Sequence, residues 1–198
     1  KQQCPRDVAV VMVSYVPIPH NIGEMKTKPT QYAARSLNSV GLQADVILAR
    51  APIAIDQKRK EKIAVFCNIP AERVISAPDV ESIYDVPGNY EKDGLGDILT
   101  DILTLPRRKT NLSEWQAFVR KAKSGKKDVH IAIAGKYFKS GEFVLSDVYI
   151  SVIEALKHAS YAQGFKLRIS YVNSKDFEVN NPRLQDLDQY DGILVPGG

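Results

Sequence analysis

Short apolar runs alternate with amphipathic stretches along most of this chain, and the alternation predicts its fold class. Residues 8–16 are few and valine-rich, as a strand buried on both faces of a parallel sheet requires. Between Pro29 and Gly41 the apolar residues Ala33, Leu37 and Val40 recur at helical spacing, and Gly41 suits the position after a last turn. Residues 45–50 read as a second buried strand. Asp56 is placed to cap a charged helix that carries Lys62, Ile63, Val65 and Phe66 toward Asn68 and Pro70. Residues 74–76 form a short third strand, after which Asp79 predicts a capped helical turn containing Ile83.

From residue 85 to 127 the pattern loosens. Glycines, prolines and the basic clusters Arg107-Arg108-Lys109 and Lys126-Lys127 surround two amphipathic stretches, 98–105 and 115–119, and this reads as connecting structure. At Asp128 the alternation restarts. Residues 130–134 form a strand, and 146–163 a helix with Val152, Ile153, Leu156 and Ala159 inward and Gly164 as its stop. Residues 167–172 and 193–195 supply further strands. The expectation is an α/β fold of two parallel-sheet units joined by a helical linker, divided at 1–90, 91–127 and 128–198.

Composition narrows the function classes. With 198 residues and 44% hydrophobic content the chain can bury one large core or two smaller ones. Its net charge of +4 is too modest for the concentrated basic face that a duplex-binding protein needs, which favours small anionic ligands and no nucleic acid. The basic clusters lack interleaved aromatics and read as solvated faces, with Trp115 packing rather than stacking on a base. Cys4 and Cys67 stand far apart, so neither a disulfide framework nor a cysteine zinc site is expected, and a cytoplasmic setting fits. The longest apolar run, 8–16, is too short to span a bilayer and lacks signal-peptide flanks, so no membrane role is expected. The chain opens on Lys1 and stops at Gly197-Gly198 just after an apolar strand, which reads as a fragment of something longer.

The candidate chemistry centres on Lys26, Thr27, Lys28, Pro29, Thr30 and Gln31, the string KTKPTQ. Lys28 precedes proline and is expected to be extended, while Pro29 suits the first helical position. Two ammonium groups and two hydroxyls then stand where a helix start adds partial positive charge, a good place to hold phosphate. By spacing alone, an ordinary helix beginning at Thr27 or Lys28 explains the string equally well. Lys62 follows the second strand and could join Lys26 and Lys28 around one triphosphate, although its neighbours Lys58, Arg59, Lys60 and Glu61 also read as a solvated charge run.

In its setting, Gly23-Glu24-Met25 followed by KTKPTQ, the string closely resembles the nucleotide-binding segment of the CTP synthase family. The resemblance extends to Lys62 before IAVFCN, to Arg50, to Pro78-Asp79-Val80, and to the terminal DGILVPGG. It implies that Lys26, Thr27, Lys28, Pro29, Thr30, Gln31 and Lys62 bind UTP or CTP, and that Arg50, Pro78, Asp79 and Val80 lie against the ATP adenine. Gly197 and Gly198 then belong to the oxyanion site of a glutamine amidotransferase. Residues 1–90 would be the last part of a Rossmann-like or P-loop-like synthetase (amidoligase) domain, and 128–198 the first part of a flavodoxin-like glutaminase, making the chain a central fragment. The family aminates UTP to CTP with ATP, using ammonia from glutamine, with Mg2+ on the phosphates and GTP as activator, in tetramers or filaments.

The resemblance places the catalytic groups and the magnesium ligands outside this chain, so no turnover is expected from it alone. Gly135-Lys136-Tyr137 lacks the upstream glycine of a Walker-type loop and is assigned no phosphate. Cys67, His20, His130 and His158 carry no catalytic or metal-ligating motif. The chain departs from the family at 143–148, FVLSDV, where Val148 replaces a usual alanine. Two other readings remain: a non-catalytic nucleotide-binding or filament-forming scaffold, and a stand-alone glutaminase-like hydrolase.

Overall fold

The computed structural model describes all residues except 2, 22, 137–138, 141–142, 145–148, 178–181 and 198, and gives only the backbone of 139–140, 143–144 and 182–183. The chain divides into two compact units, Lys1–Leu112 and Ser113–Gly198.

In the first unit a parallel sheet of β1 (Val11–Tyr15), β2 (Val46–Ala51) and β3 (Val74–Pro78) has β2 at its centre. Helix α1 (Lys28–Ser39) joins β1 to β2, and α2 (Gln57–Cys67) joins β2 to β3. Strand side chains alternate between faces, so Ile47 and Ala49 pack with Ala34, Ile63 and Val74 while Val46 and Leu48 pack with Ile75 and Ala77. The second face is closed by α3 (Val86–Lys92) and α4 (Leu95–Ile102), through Tyr90, Leu95, Ile98, Leu99 and Ile102. Part of the segment read as connecting structure therefore belongs to this core. Central β2 is buried on both faces as expected, but β1 lies at the sheet edge and leaves Val13 and Tyr15 more than half exposed.

The helix ends follow local chemistry. Asp56 accepts from the Arg59 backbone N–H at 2.8 Å, and Asn68 ends α2 in the left-handed region at φ 53°. Asp79 does not cap the next turn. That turn, Ile83–Asp85, begins at Ser82, whose Oγ accepts from the Tyr84 N–H at 3.3 Å, because the Asp79 carboxylate is engaged by Arg50.

The second unit opens with α5 (Ser113–Lys123), so the predicted linker 91–127 is shared between the units. It continues through β4 (Lys127–Gly135), the short antiparallel pair β5 (Lys139–Ser140) and β6 (Phe143–Val144), α6 (Ile150–Gln163), β7 (Phe165–Asn173) and β8 (Gly192–Leu194). Its parallel sheet runs β7-β4-β8. Ile133 and Ile153 form its buried centre with Leu156, Ile169, Tyr171 and Leu194 around them. Gly164 ends α6 at φ 75°, as expected, while residues 146–148 of the expected helix lie outside the described residues. Trp115 packs against Phe118 with ring centroids 5.7 Å apart.

Candidate functional site

Both candidate nucleotide positions lie beyond the carboxyl ends of parallel strands, where α/β sheets gather ligands. The loop after β1 enters α1 through Thr27, whose backbone is helical at φ −85° and ψ −8°. Lys28 is thus the first helical residue and Pro29 the second, rather than an extended lysine before a first-position proline. Proline costs no hydrogen bond at either place, because first-turn N–H groups have no intrahelical partner.

Three of the predicted residues face inward. Thr27, Thr30 and Gln31 are buried. Ser14 Oγ donates to Thr30 Oγ1 at 3.0 Å, fastening α1 to the sheet, and Gln31 Nε2 donates to Thr27 Oγ1 at 3.2 Å. The lysines diverge. Lys28 Nζ lies 5.6 Å from the Phe66 ring centroid, a cation–π distance, and Lys26 Nζ donates to Glu24 Oε2 at 2.7 Å.

Lys62 does meet the start of α1. Together with Lys58 and Arg59 from α2 it lines a cavity of about 90 Å³ whose other walls are Glu24, Met25 and Thr27. Arg59 Nη2 stands 3.8 Å from Glu24 Oε1 and is also paired with Asp56. The ammonium of Lys26 holds the Glu24 carboxyl below the usual carboxylate range, by hydrogen bond and charge, with smaller contributions from Arg59 and Lys62. Lys26 therefore reaches this cavity through Glu24, whereas Lys28 goes elsewhere. Sequence reading missed Glu24, Lys58 and Arg59 as members of the site. The signal for the two cations was present: they precede Lys62 by four and three residues and share its helix face.

The second predicted group does assemble. Arg50 Nη1 donates to the carbonyls of Ala77 and Pro78 at 2.9 and 3.0 Å, and Nη2 to Asp79 Oδ1 at 2.7 Å. Arg50, Pro78 and Val80 line a space of about 10 Å³, room for roughly one water, with Tyr90 at its side. The guanidinium is thus committed to the end of β3.

In the second unit, Gly197 has open space where a side chain would sit, and Gly198 lies outside the described residues, as does Tyr137. His130 lies 2.8 Å from Ser170 Oγ through a ring nitrogen, edge-on to Tyr190. Burial pushes the Cys67 thiol up, so it resists forming a thiolate and acts as a packing residue. Among the described residues no three His, Cys, Asp or Glu side chains gather to hold a metal ion.

Residues 1–105 match the family model described as CTP synthase N-terminus. The chain is 45% identical over 192 residues to a CTP synthase of Thermococcus gammatolerans, covering 97% of this chain and 35% of the relative. It is 41% identical over 197 residues to one from Methanocaldococcus jannaschii, 97% and 36% covered, and 40% over 193 residues to one from a Synechococcus species, 98% and 34% covered. The chain thus spans about a third of the length of these relatives. The expectation of a central fragment is corrected by the family model, which assigns residues 1–105 to the N-terminal region. Since that match takes in more than half of the 198 residues and includes both the α1 cavity and the Arg50 cluster, the chain belongs to the CTP synthase family.

Proposed function

We propose that this chain supplies the pyrimidine nucleotide site of an enzyme that aminates UTP to CTP with ATP and glutamine-derived ammonia. The observation that carries the reading is the cavity between α1 and α2, where Thr27 and three cations, Lys58, Arg59 and Lys62, face one small space. In it Lys62 holds triphosphate oxygens and Thr27 orients them at the helix start, while buried Gln31 fixes Thr27 and buried Thr30 fastens the helix to Ser14. Lys26 swings to the phosphates from Glu24 at the cavity wall, and Lys28 is recruited from Phe66, outside the cavity. Pro29 sets the helix angle. Arg50, Pro78, Asp79 and Val80 form the edge of the ATP site, the Asp79 carboxylate being able to accept from an adenine amino group. Magnesium travels with the nucleotide, and no residue of this chain is assigned to it or to catalysis.

On the same reading residues 1–90 are synthetase, 91–127 connect, and 128–198 begin the glutaminase, with Gly197 and Gly198 at its oxyanion site. GTP activation, a cytoplasmic tetramer and filament formation come with the family reading. The test is calorimetric binding of UTP to the full-length enzyme. Charge-assisted hydrogen bonds contribute roughly 1.5–3 kcal/mol, so Lys62→Ala should weaken UTP on the order of tenfold or more. Lys60→Ala, on the same helix but paired near Asp93, is the control. Equal UTP affinity in the two variants overturns the site.

A further inference from the structure

We infer that Glu24 is a built-in counter-ion of this site, a positioning residue whose carboxylate holds Lys26 in waiting and sets how tightly an anion binds. The inference rests on the nucleotide reading of the cavity and concerns its regulation. An acid is out of place among groups that receive phosphate, yet Glu24 lines the same space as Thr27, Lys58, Arg59 and Lys62. Its two oxygens divide the cations between them: Oε2 takes Lys26 at 2.7 Å and Oε1 faces Arg59 at 3.8 Å. Arg59 is further held by Asp56, so the ready exchange is at Lys26.

Glu24 and Lys26 are two residues apart on the loop entering α1, and their side chains are both substantially exposed. The pair is therefore weakly held and exchangeable. An incoming polyphosphate offers Lys26 a denser negative charge than one carboxylate. It displaces Glu24, and the ammonium moves from the loop to the ligand. The displaced carboxylate stays close enough to repel the anion, which lowers affinity, and lowers it most for a triphosphate, because only that ligand brings enough charge to break the Glu24–Lys26 pair and it is also repelled most strongly.

The experiment is calorimetric titration of UTP, UMP and inorganic tripolyphosphate into the full-length enzyme, as wild type, Glu24→Gln, Glu24→Asp, Lys26→Met and the Glu24→Gln/Lys26→Met double variant. Removing one like charge about 5 Å from an anion in a water-filled site should tighten tripolyphosphate and UTP roughly three- to tenfold. UMP, which brings too little charge to win Lys26, should tighten by a smaller factor, widening the preference for triphosphate. Lys26→Met should cost more affinity when combined with Glu24→Gln than in wild type, because without the carboxylate the ammonium is already free. Glu24→Asp should restore wild-type affinity at least in part. Weaker or unchanged binding in Glu24→Gln overturns the inference, as a purely structural role would give that result. Failure of Lys62→Ala to weaken UTP would instead overturn the underlying site, so the two failures are distinguishable.

Discussion

Among single residues, hydrogen-bond partners separate Thr30, which fastens helix to sheet, from Thr27, which lines the cavity. Thr30 stands in a string that reads as phosphate-binding, yet it is fully buried and its hydroxyl is the partner of Ser14. Replacing it with valine keeps the shape and strands the Ser14 hydroxyl. Leaving one buried polar group unsatisfied costs about 1–3 kcal/mol, whereas removing both partners is close to neutral. Thr30→Val should therefore lower the thermal midpoint, and the Ser14→Ala/Thr30→Val pair should recover most of the loss; additive losses in the double variant would refute the pairing. Lys62 makes the complementary point, because its side chain lines the cavity beside Thr27.

Among helices and strands, stops and close approaches decide which face each element presents. Asn68 ends α2 in a left-handed conformation and its carbonyl accepts from Gln43 at 2.7 Å, which fixes where the helix carrying Lys58, Arg59 and Lys62 terminates. In the second unit the sharpest constraint is at Gly125, between α5 and β4. A Cβ there would sit 2.6 Å from the Phe165 carbonyl oxygen and 2.8 Å from the Lys166 nitrogen, both main-chain atoms at the start of β7. Main chain cannot yield as a side chain can. Gly125→Ala should destabilise the second unit by roughly 1–3 kcal/mol, the usual cost of overpacking, seen as a lower urea midpoint in Trp115 fluorescence. An unchanged midpoint would mean that the segment at Gly125 moves readily away from the start of β7.

Across the full chain, each unit has its own centre. Ile47 and Ile63 are fully buried in the first, Ile133 in the second. The chain's single tryptophan, Trp115, belongs to the second unit. Isoleucine-to-alanine changes in a core cost about 2–5 kcal/mol. Ile133→Ala should shift the fluorescence transition strongly, while Ile47→Ala should shift calorimetric unfolding of the first unit and leave the fluorescence transition in place. Movement of the tryptophan signal by Ile47→Ala would show that the two units unfold as one.

The order of residues was enough for the main strands, for α1, α2 and α6, and for the family, though not for the packing of α3 and α4 on the first sheet. Residues that cap, stop or alternate act over one or two turns, so Asp56, Gly41, Gly164 and the valine-rich runs were legible without coordinates, as was the KTKPTQ string in its setting. Arg50 and Asp79 were both named from the sequence, but not as each other's partner, since only the parallel pairing of β2 with β3 sets their side chains together across 29 positions. The same limit explains the lysines. The Lys26–Glu24 pair is local, two residues apart, but folding in three dimensions is what sets Lys28 over Phe66 and brings Lys62 into the cavity that Thr27 lines, because interaction energy falls off with a distance in space that spacing along the chain does not record.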